Sequence, residues 1–335
     1  MMTKEQHRVT LEDVAREAGV SIMTVSRVMN NTGRISEETR TQVRVVAERL
    51  GYRPNRAART LVTKRTMLIA CIMPDITNPY FAEILQGVED TAWQEGYNVL
   101  LMNTNENPDR EYAVLSQLDD STVDGVIACS SRISDEQLIP LLRKHPAVVT
   151  INRVLPKDVG SIVLSQRHIG HRAVLAAKYL YQTGRRRIGY LQLVRGSSSF
   201  TSFDFVKTLE AEGITIDPAW CRRCPPVWKA GYEQGKMLLE EHPELEAVVG
   251  GNDLVTLGLM RAAIELGRKI PDNLALVGAD DILISSQVTP PLTTFRMDKY
   301  EIGAMASRLL LLRMQGDYTY REMFFPEELV IRGTT

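Results

Sequence analysis

The chain is poor in cysteine, has no long apolar run, and carries no complete catalytic signature. Cys71, Cys129, Cys221 and Cys224 are the only cysteines in 335 residues. A disulfide framework is therefore not expected, and a reducing cytoplasm is the simplest home. No run of about 18 apolar residues occurs, so no membrane-spanning helix is expected. The opening residues MMTKEQHRVT lack the apolar centre of a signal peptide. Cys221-Arg-Arg-Cys224 supplies two of the four ligands a structural zinc needs, and it reads as incidental loop cysteines. His168 and His171 lack the carboxylate of a helical H-E-x-x-H site. The serines of 197–199 lack a G-x-S-x-G elbow, and Gly250-Gly251 is no dinucleotide fingerprint. Without a nucleophile, base and orienting group in one motif, catalysis is not expected, nor is a cofactor or a metal.

The net charge of −1 conceals an asymmetry. Residues 1–65 hold 13 Lys+Arg against 7 Asp+Glu, and the remainder holds 27 against 34. A basic head on an acidic body is the distribution expected when one end meets phosphates. Within the head, VTLEDVAREAGVSIMTVSRVMN (9–30) reads as two short helices around a tight turn. Leu11, Val14, Ala15 and Ala18 make one apolar face at helical spacing. Thr10 with Asp13 is a weak capping box, and Gly19 is a helix stop. Ser21 caps a second helix whose Val25, Val28 and Met29 face inward. Met23, Ser26, Arg27 and Asn30 project from the other side. One face then packs the pair together while the other is free to lie in a major groove, where Arg reads guanine and Asn reads adenine. A purely structural helical hairpin is the plainer alternative. A third helix follows, with Ser36 as cap, Val43, Val46, Ala47 and Leu50 inward, and Gly51 as stop. Residues 52–66, YRPNRAARTLVTKRT, read either as a charged linker or as a segment too short to be helical in water until something orders it.

From Met67 the texture changes to apolar runs alternating with amphipathic stretches. Strands are expected at 67–73, 98–103, 124–130, 147–152, 187–193, 246–251 and 274–279. Helices are expected at 81–96, 111–118, 135–144, 171–183, 204–213, 231–241 and 254–267. Such alternation predicts parallel sheets covered on both faces, in two α/β subdomains with a cleft at the carboxyl ends of the strands.

These segments resemble the LacI/GalR family of transcriptional regulators. TLEDVAREAGVSIMTVSRVMN is similar to its helix–turn–helix and RPNRAARTL to its hinge. PDITNPYFAEILQGVEDTAWQEGY, DGVIACSS, GRRRIGYL, GGNDLVTLGLMRAAIELGRKIPDNLALVGADD, PPLTTFRMDKYEIG and LVIRGTT extend the likeness along nearly the whole chain. The resemblance implies an N-terminal all-α head and hinge followed by an α/β periplasmic-binding-protein-like core. It implies a homodimer on a near-palindromic operator, most simply a repressor. By position Ser21, Ile22, Met23, Thr24, Ser26, Arg27 and Asn30 match its recognition element, and Thr10, Arg34, Ser36, Thr39, Tyr52, Asn55 and Arg56 its supporting contacts. Leu61 matches the leucine that wedges into the minor groove, with Ala58 beside it among the DNA-facing positions. Ile22 and Met23 are apolar where relatives carry polar readers. They can meet thymine methyls, or Ile22 can pack on Met29 instead.

The implied domains are a head at 8–52, a hinge at 53–66, and a core at 67–335. The core divides into an N-subdomain at about 67–164 and 293–322 and a C-subdomain at about 165–292 and 323–335. Asn78, Tyr80, Phe81, Asn152, Thr201, Asn252, Asp253 and Asp280 match effector positions, although Asn252 and Asp253 read equally as caps of the next helix. Thr201 stands where sugar-binding relatives carry Arg, and SQRHIGHR replaces their Asp-Asn near 165. Arg153, Arg167, His168 and Arg195 line the cleft in one reading, favouring an acid, such as a sugar acid, or a phosphorylated ligand. In the other they are solvated surface charges. The expected effector is a small polar metabolite, a sugar, sugar acid or related compound. The chain stops at LVIRGTT without a heptad tail, which predicts a dimer. The competing class is a solute-binding or sugar-processing α/β protein with incidental N-terminal helices.

Overall fold

The structure, a computed structural model, describes residues 9–53, 65–118, 122–164, 171–194 and 202–335. The chain divides into two compact units, Met1–Thr66 and Met67–Thr335. The first contains α1 (Leu11–Ala18), α2 (Ile22–Met29) and α3 (Glu37–Leu50). Its core is small: Val14, Ala15, Ala18, Val25, Val28, Val43, Val46 and Ala47, all buried. So little apolar area makes the helix ends important. Thr10 and Asp13 close a full capping box, Ser21 and Ser36 cap α2 and α3, and Gly19 and Gly51 take left-handed φ of 64° and 69°. The Gln42 side chain donates to the Ala18 carbonyl at 3.0 Å, satisfying the end of α1 from α3.

In the second unit β1 (Leu68–Met73), α4 (Pro79–Gln94), β2 (Asn98–Asn103), α5 (Pro108–Gln117), β3 (Gly125–Cys129), α6 (Asp135–Leu142), β4 (Val148–Ile151) and β5 (Ser161–Leu164) come first. Then follow α7 (His171–Gln182), β6 (Ile188–Leu193), α8 (Ser202–Glu210), β7 (Cys221–Cys224), α9 (Trp228–Glu241), β8 (Ala247–Gly250), α10 (Asp253–Glu265) and β9 (Ala275–Val277). The chain closes with β10 (Thr294–Arg296), α11 (Lys299–Met314), β11 (Glu322–Phe324) and β12 (Glu328–Val330). One parallel sheet has the order β11-β5-β4-β3-β1-β2 and a second β7-β6-β8-β9, while β10 and β12 pair antiparallel.

Strands buried on both faces explain the continuous apolar runs. Along β1, Ala70 and Ile72 face α5 and α6, whereas Ile69, Cys71 and Met73 face the side holding α4 and α11. The second sheet repeats the scheme, with α7 and α8 on one face and α9 and α10 on the other. Cys221 and Cys224 lie on strand β7, not in a loop. They pack on opposite faces of the sheet, so they cannot share a metal ion, and burial pushes both thiols up to about 12. Short or charged strands such as β7, with its Arg222 and Arg223, carry no apolar period, so pairing alone reveals them. The Val277–Thr293 bridge and the β10–β12 ribbon place 293–296 with the second sheet, and β11 places 322–324 with the first. The crossings therefore fall a few residues from the expected 293 and 323, between β10 and α11 and between β11 and β12. Among the described residues no helix is long and apolar enough to cross a membrane.

Each subdomain is knitted by two helices crossing at glycines. A Cβ on Gly87 of α4 would come within 2.0 Å of the Tyr300 carbonyl of α11, and one on Gly303 within 1.9 Å of the Ile84 carbonyl. Gly231 and Gly258 make the same reciprocal approach between α9 and α10. Gly303→Ala should force α4 and α11 apart and cost about 3 kcal/mol, the upper end for overpacking, measured by urea unfolding of the full chain. An unchanged midpoint would show that the crossing yields without cost.

Candidate functional site

Two surfaces collect the expected residues. On the head, the apolar side of α2 is spent on the core, which leaves the opposite side outward. Ile22 is 47% exposed and Met23 63%, so Ile22 is not packed away on Met29. Arg27 and Asn30 are exposed, and Ser26 and Thr24 are half-buried. The Arg27 side chain lies over Gly33, where a Cβ would meet its Cδ at 3.2 Å, so a glycine with φ of 73° makes its resting place. Asn30 donates to Ser26 Oγ at 3.4 Å, a long contact that leaves its amide available. At the starts of α2 and α3 the hydroxyl pairs Ser21–Thr24 and Ser36–Thr39 stand 2.9 and 2.8 Å apart beside the amides of each first turn, of which Thr24 N and Thr39 N donate to the capping serines. Thr10 and Arg34 are exposed, and Tyr52 is half-buried. Asn55, Arg56, Ala58 and Leu61, and with them most of the expected hinge, lie outside the described residues.

In the core a narrow cleft is lined by Asn78, Tyr80, Phe81, Glu106, Ser130, Arg132, Asn152, Arg172, Pro226, Asn252 and Asp280. Six of the expected effector residues meet there: Asn78, Tyr80, Phe81, Asn152, Asn252 and Asp280. Each stands where a parallel strand hands over to the next segment. Asn78 caps α4 by accepting from Tyr80 N at 3.0 Å, and Asn152 donates to the Tyr80 hydroxyl at 2.8 Å. Asn252 does both things expected of it, capping α10 through Val255 N at 2.9 Å while lining the cleft. Three wall residues beyond β2, β3 and β4 adopt left-handed backbone: Glu106 at φ 56°, Ser130 at 47° and Asn152 at 56°. Such strain on non-glycine residues clusters where geometry is constrained for function.

Asp253 does not line the cleft. It is fully buried and accepts from Ser285 Oγ and Thr294 Oγ1, both at 2.6 Å, and from Ile282 N at 3.0 Å. Burial raises its pKa against the lowering effect of these donors. Gly278 makes the room, because a Cβ there would reach Asp253 Oδ1 at 2.3 Å. Arg153 also turns away: its guanidinium meets Asp135 at 2.8 Å and the Ile133 carbonyl at 3.0 Å. Thr201, Arg167, His168 and Arg195 lie outside the described residues.

The charged wall was not foreseen. Arg132 is buried and grips Glu106 through Nε at 2.5 Å and Nη2 at 2.8 Å, with Nη1 on the Ser130 carbonyl. Glu111, itself buried, accepts from Arg132 N at 2.7 Å and from Ser131 Oγ, fixing the same loop. Arg172, in the first turn of α7, meets Glu327 through Nε and Asp280 at 3.5 Å. Burial opposes the Arg172 charge, but Glu327, Tyr80 and Asp280 more than offset it and raise its pKa. The only sequence signal for Arg172 was its place in SQRHIGHR, the segment that departs from the family pattern.

Comparison with known proteins follows this division. Residues 10–55 match the family described as bacterial regulatory proteins, lacI family. Residues 66–314 match periplasmic binding proteins and sugar binding domain of LacI family. The ribose operon repressor of Halalkalibacterium halodurans is 33% identical, with 97% of each chain covered. The HTH-type transcriptional repressor CytR of Escherichia coli is 32% identical over 99% of this chain and 98% of its own. A lac repressor dimer bound to operator and the anti-inducer ONPF superposes with a TM-score of 0.84 at 26% identity, covering 98% of this chain and 99% of the other.

Asp253→Asn tests the buried staple. Ile282 N and Ser285 Oγ donate to one carboxylate oxygen and Thr294 Oγ1 to the other, so a carboxamide keeps one acceptor and turns its NH₂ on the remaining donors. The variant should lose about 2 kcal/mol, the cost of an unsatisfied buried group. Thermal unfolding would reveal it, and an unchanged melting temperature would refute the staple.

Proposed function

The chain belongs to the LacI family of bacterial regulatory proteins, and from that premise we propose how its residues divide the work of an effector-controlled repressor. As a member it is a DNA-binding transcriptional regulator whose partners are operator DNA, a small-molecule effector and a second copy of itself. Regulation, not catalysis, is its role in this reading, and the cytoplasm, where operator DNA lies, is its place. The separate family match of the head argues against decorative N-terminal helices on a solute-binding protein.

In the proposed complex α2 lies in the major groove. Arg27 and Asn30 supply hydrogen bonds to base edges, while Ile22 and Met23 meet thymine methyl groups. Ser21, Thr24, Ser36 and Thr39, with Thr10, Arg34 and Tyr52, hold phosphates and set the register. Asn55, Arg56, Ala58 and Leu61 continue the contact through the hinge. Two heads of a dimer would read half-sites one helical turn apart. Effector binding then changes operator affinity through a coupling of about 1–3 kcal/mol.

The effector is proposed to be a neutral polyhydroxylated metabolite. The observation that carries this is the pairing, inside the protein, of the two wall cations among the described residues, Arg132 with Glu106 and Arg172 with Glu327 and Asp280. An acid would have to displace a buried carboxylate from its guanidinium, at a cost of several kcal/mol. Hydroxyls can instead share the polar groups of Asn78, Asn152, Asn252 and Asp280, with Tyr80 and Phe81 offering apolar ring edges. The family description of a sugar binding domain agrees.

Two measurements test these readings. Operator thymines under Ile22 and Met23, replaced singly by uracil, should weaken binding by roughly 1 kcal/mol each, the worth of one buried methyl. Fluorescence anisotropy reads this out, and no loss at any thymine would sink the apolar contacts. Calorimetric titration with matched pairs, glucose against gluconate and ribose against ribonate, should give heat only with neutral members. Binding of the acids alone would reverse the assignment.

A further inference from the structure

The Arg172 guanidinium sends its three nitrogens to three different segments. Nε meets Glu327 in the crossing from β11 to β12, Nη1 approaches Asp280 in the loop after β9 at 3.5 Å, and Nη2 contacts Met297 Sδ at 3.0 Å in the crossing from β10 to α11. The residue is 9% exposed, and the Glu327 and Asp280 side chains are 11% and 7% exposed. From the other side Lys299, at the start of α11, donates to the carbonyls of Asp280 and Asp281 at 2.9 and 3.0 Å and pairs with Glu83 of α4 at 3.3 Å. The loop after β9 is thus clamped between two buried cations, each anchored to a chain crossing between the two sheets.

We infer that Arg172 is a latch between the effector cleft and two of the crossings that join the subdomains. Asp280 is its cleft end and Glu327 its end in the β11–β12 crossing. A contact that draws Asp280 toward a ligand acts on the same guanidinium that holds Glu327, so occupancy of the cleft changes how the β11–β12 crossing is held. A pair in a low-dielectric setting transmits such a change strongly, because neither partner can exchange it cheaply for water. Arg172 is a positioning residue in this scheme, acting through Asp280 and Glu327. The inference takes the cleft to be the effector site proposed above.

Hydrogen exchange on the full-length protein without effector tests the latch. Peptides spanning 297–299 and 325–330 are compared with those of β1 and β3 in Arg172→Gln, Glu327→Gln and the double variant. The expected result is roughly tenfold faster exchange at the two crossings alone, with the double variant no faster than Arg172→Gln. Uniform acceleration of all peptides would mark Arg172 as a general stabiliser and overturn the inference, as would unchanged exchange at the crossings. Because no effector is used, failure here is distinguishable from failure of the effector assignment, which calorimetry decides.

Discussion

Strands that run parallel must all end on the same side of their sheet, and each must there pass its chain to a crossover. In this molecule that constraint builds the cleft of the core. Asn78 follows β1, Glu106 follows β2, Ser130 and Arg132 follow β3, and Asn152 follows β4, all from one sheet. Pro226, Asn252 and Asp280 follow β7, β8 and β9 of the other. The strand ends that carry these residues are far apart in sequence, yet parallel pairing leaves them nowhere else to converge. The left-handed backbone at Glu106, Ser130 and Asn152 turns the chain sharply at those hand-overs.

Electrostatics then sets what the cleft can accept. Buried guanidinium groups would be costly alone, so each is given carboxylates: Glu106 for Arg132, Glu327 and Asp280 for Arg172. Among the described residues two guanidinium groups are thus set against three carboxylates. The pairing also connects the wall to the chain crossings, since Glu327, Met297 and Lys299 belong to segments that pass between the sheets. Ligand recognition and subdomain geometry thereby share the same side chains.

The head solves a different problem with fewer resources. Among the described residues eight buried ones, none larger than valine, form the centre of the head, with Leu11, Met29, Ile35, Leu50 and Tyr52 packed against them. Capping supplies part of what the core lacks, and it does so with Ser21 and Ser36, whose helix starts are also suited to phosphate. Because the apolar side of α2 is fully used inward, Ile22 and Met23 are left exposed by geometry and not by chance.

The sequence by itself determined the helices of the head, their caps and stops, and the alternation of strand and helix, because each rests on local period or turn chemistry. Met23 and Arg27 were legible in this way, whereas the six cleft residues, Asn78 and Asn252 among them, were legible only through the family resemblance. Tertiary structure alone decided the fate of Asp253, which neighbours the cleft in sequence but is drawn inward by Ser285 and Thr294 from distant segments. It likewise decided that Arg153 turns to Asp135, that Cys221 and Cys224 sit on an edge strand, and that Arg132 and Arg172 line the wall. The reason is common to all of these. A charged or polar side chain goes where its partner is, and the partners of Arg132 and Arg172 lie 26 and 155 residues away along the chain, beyond the reach of any local pattern.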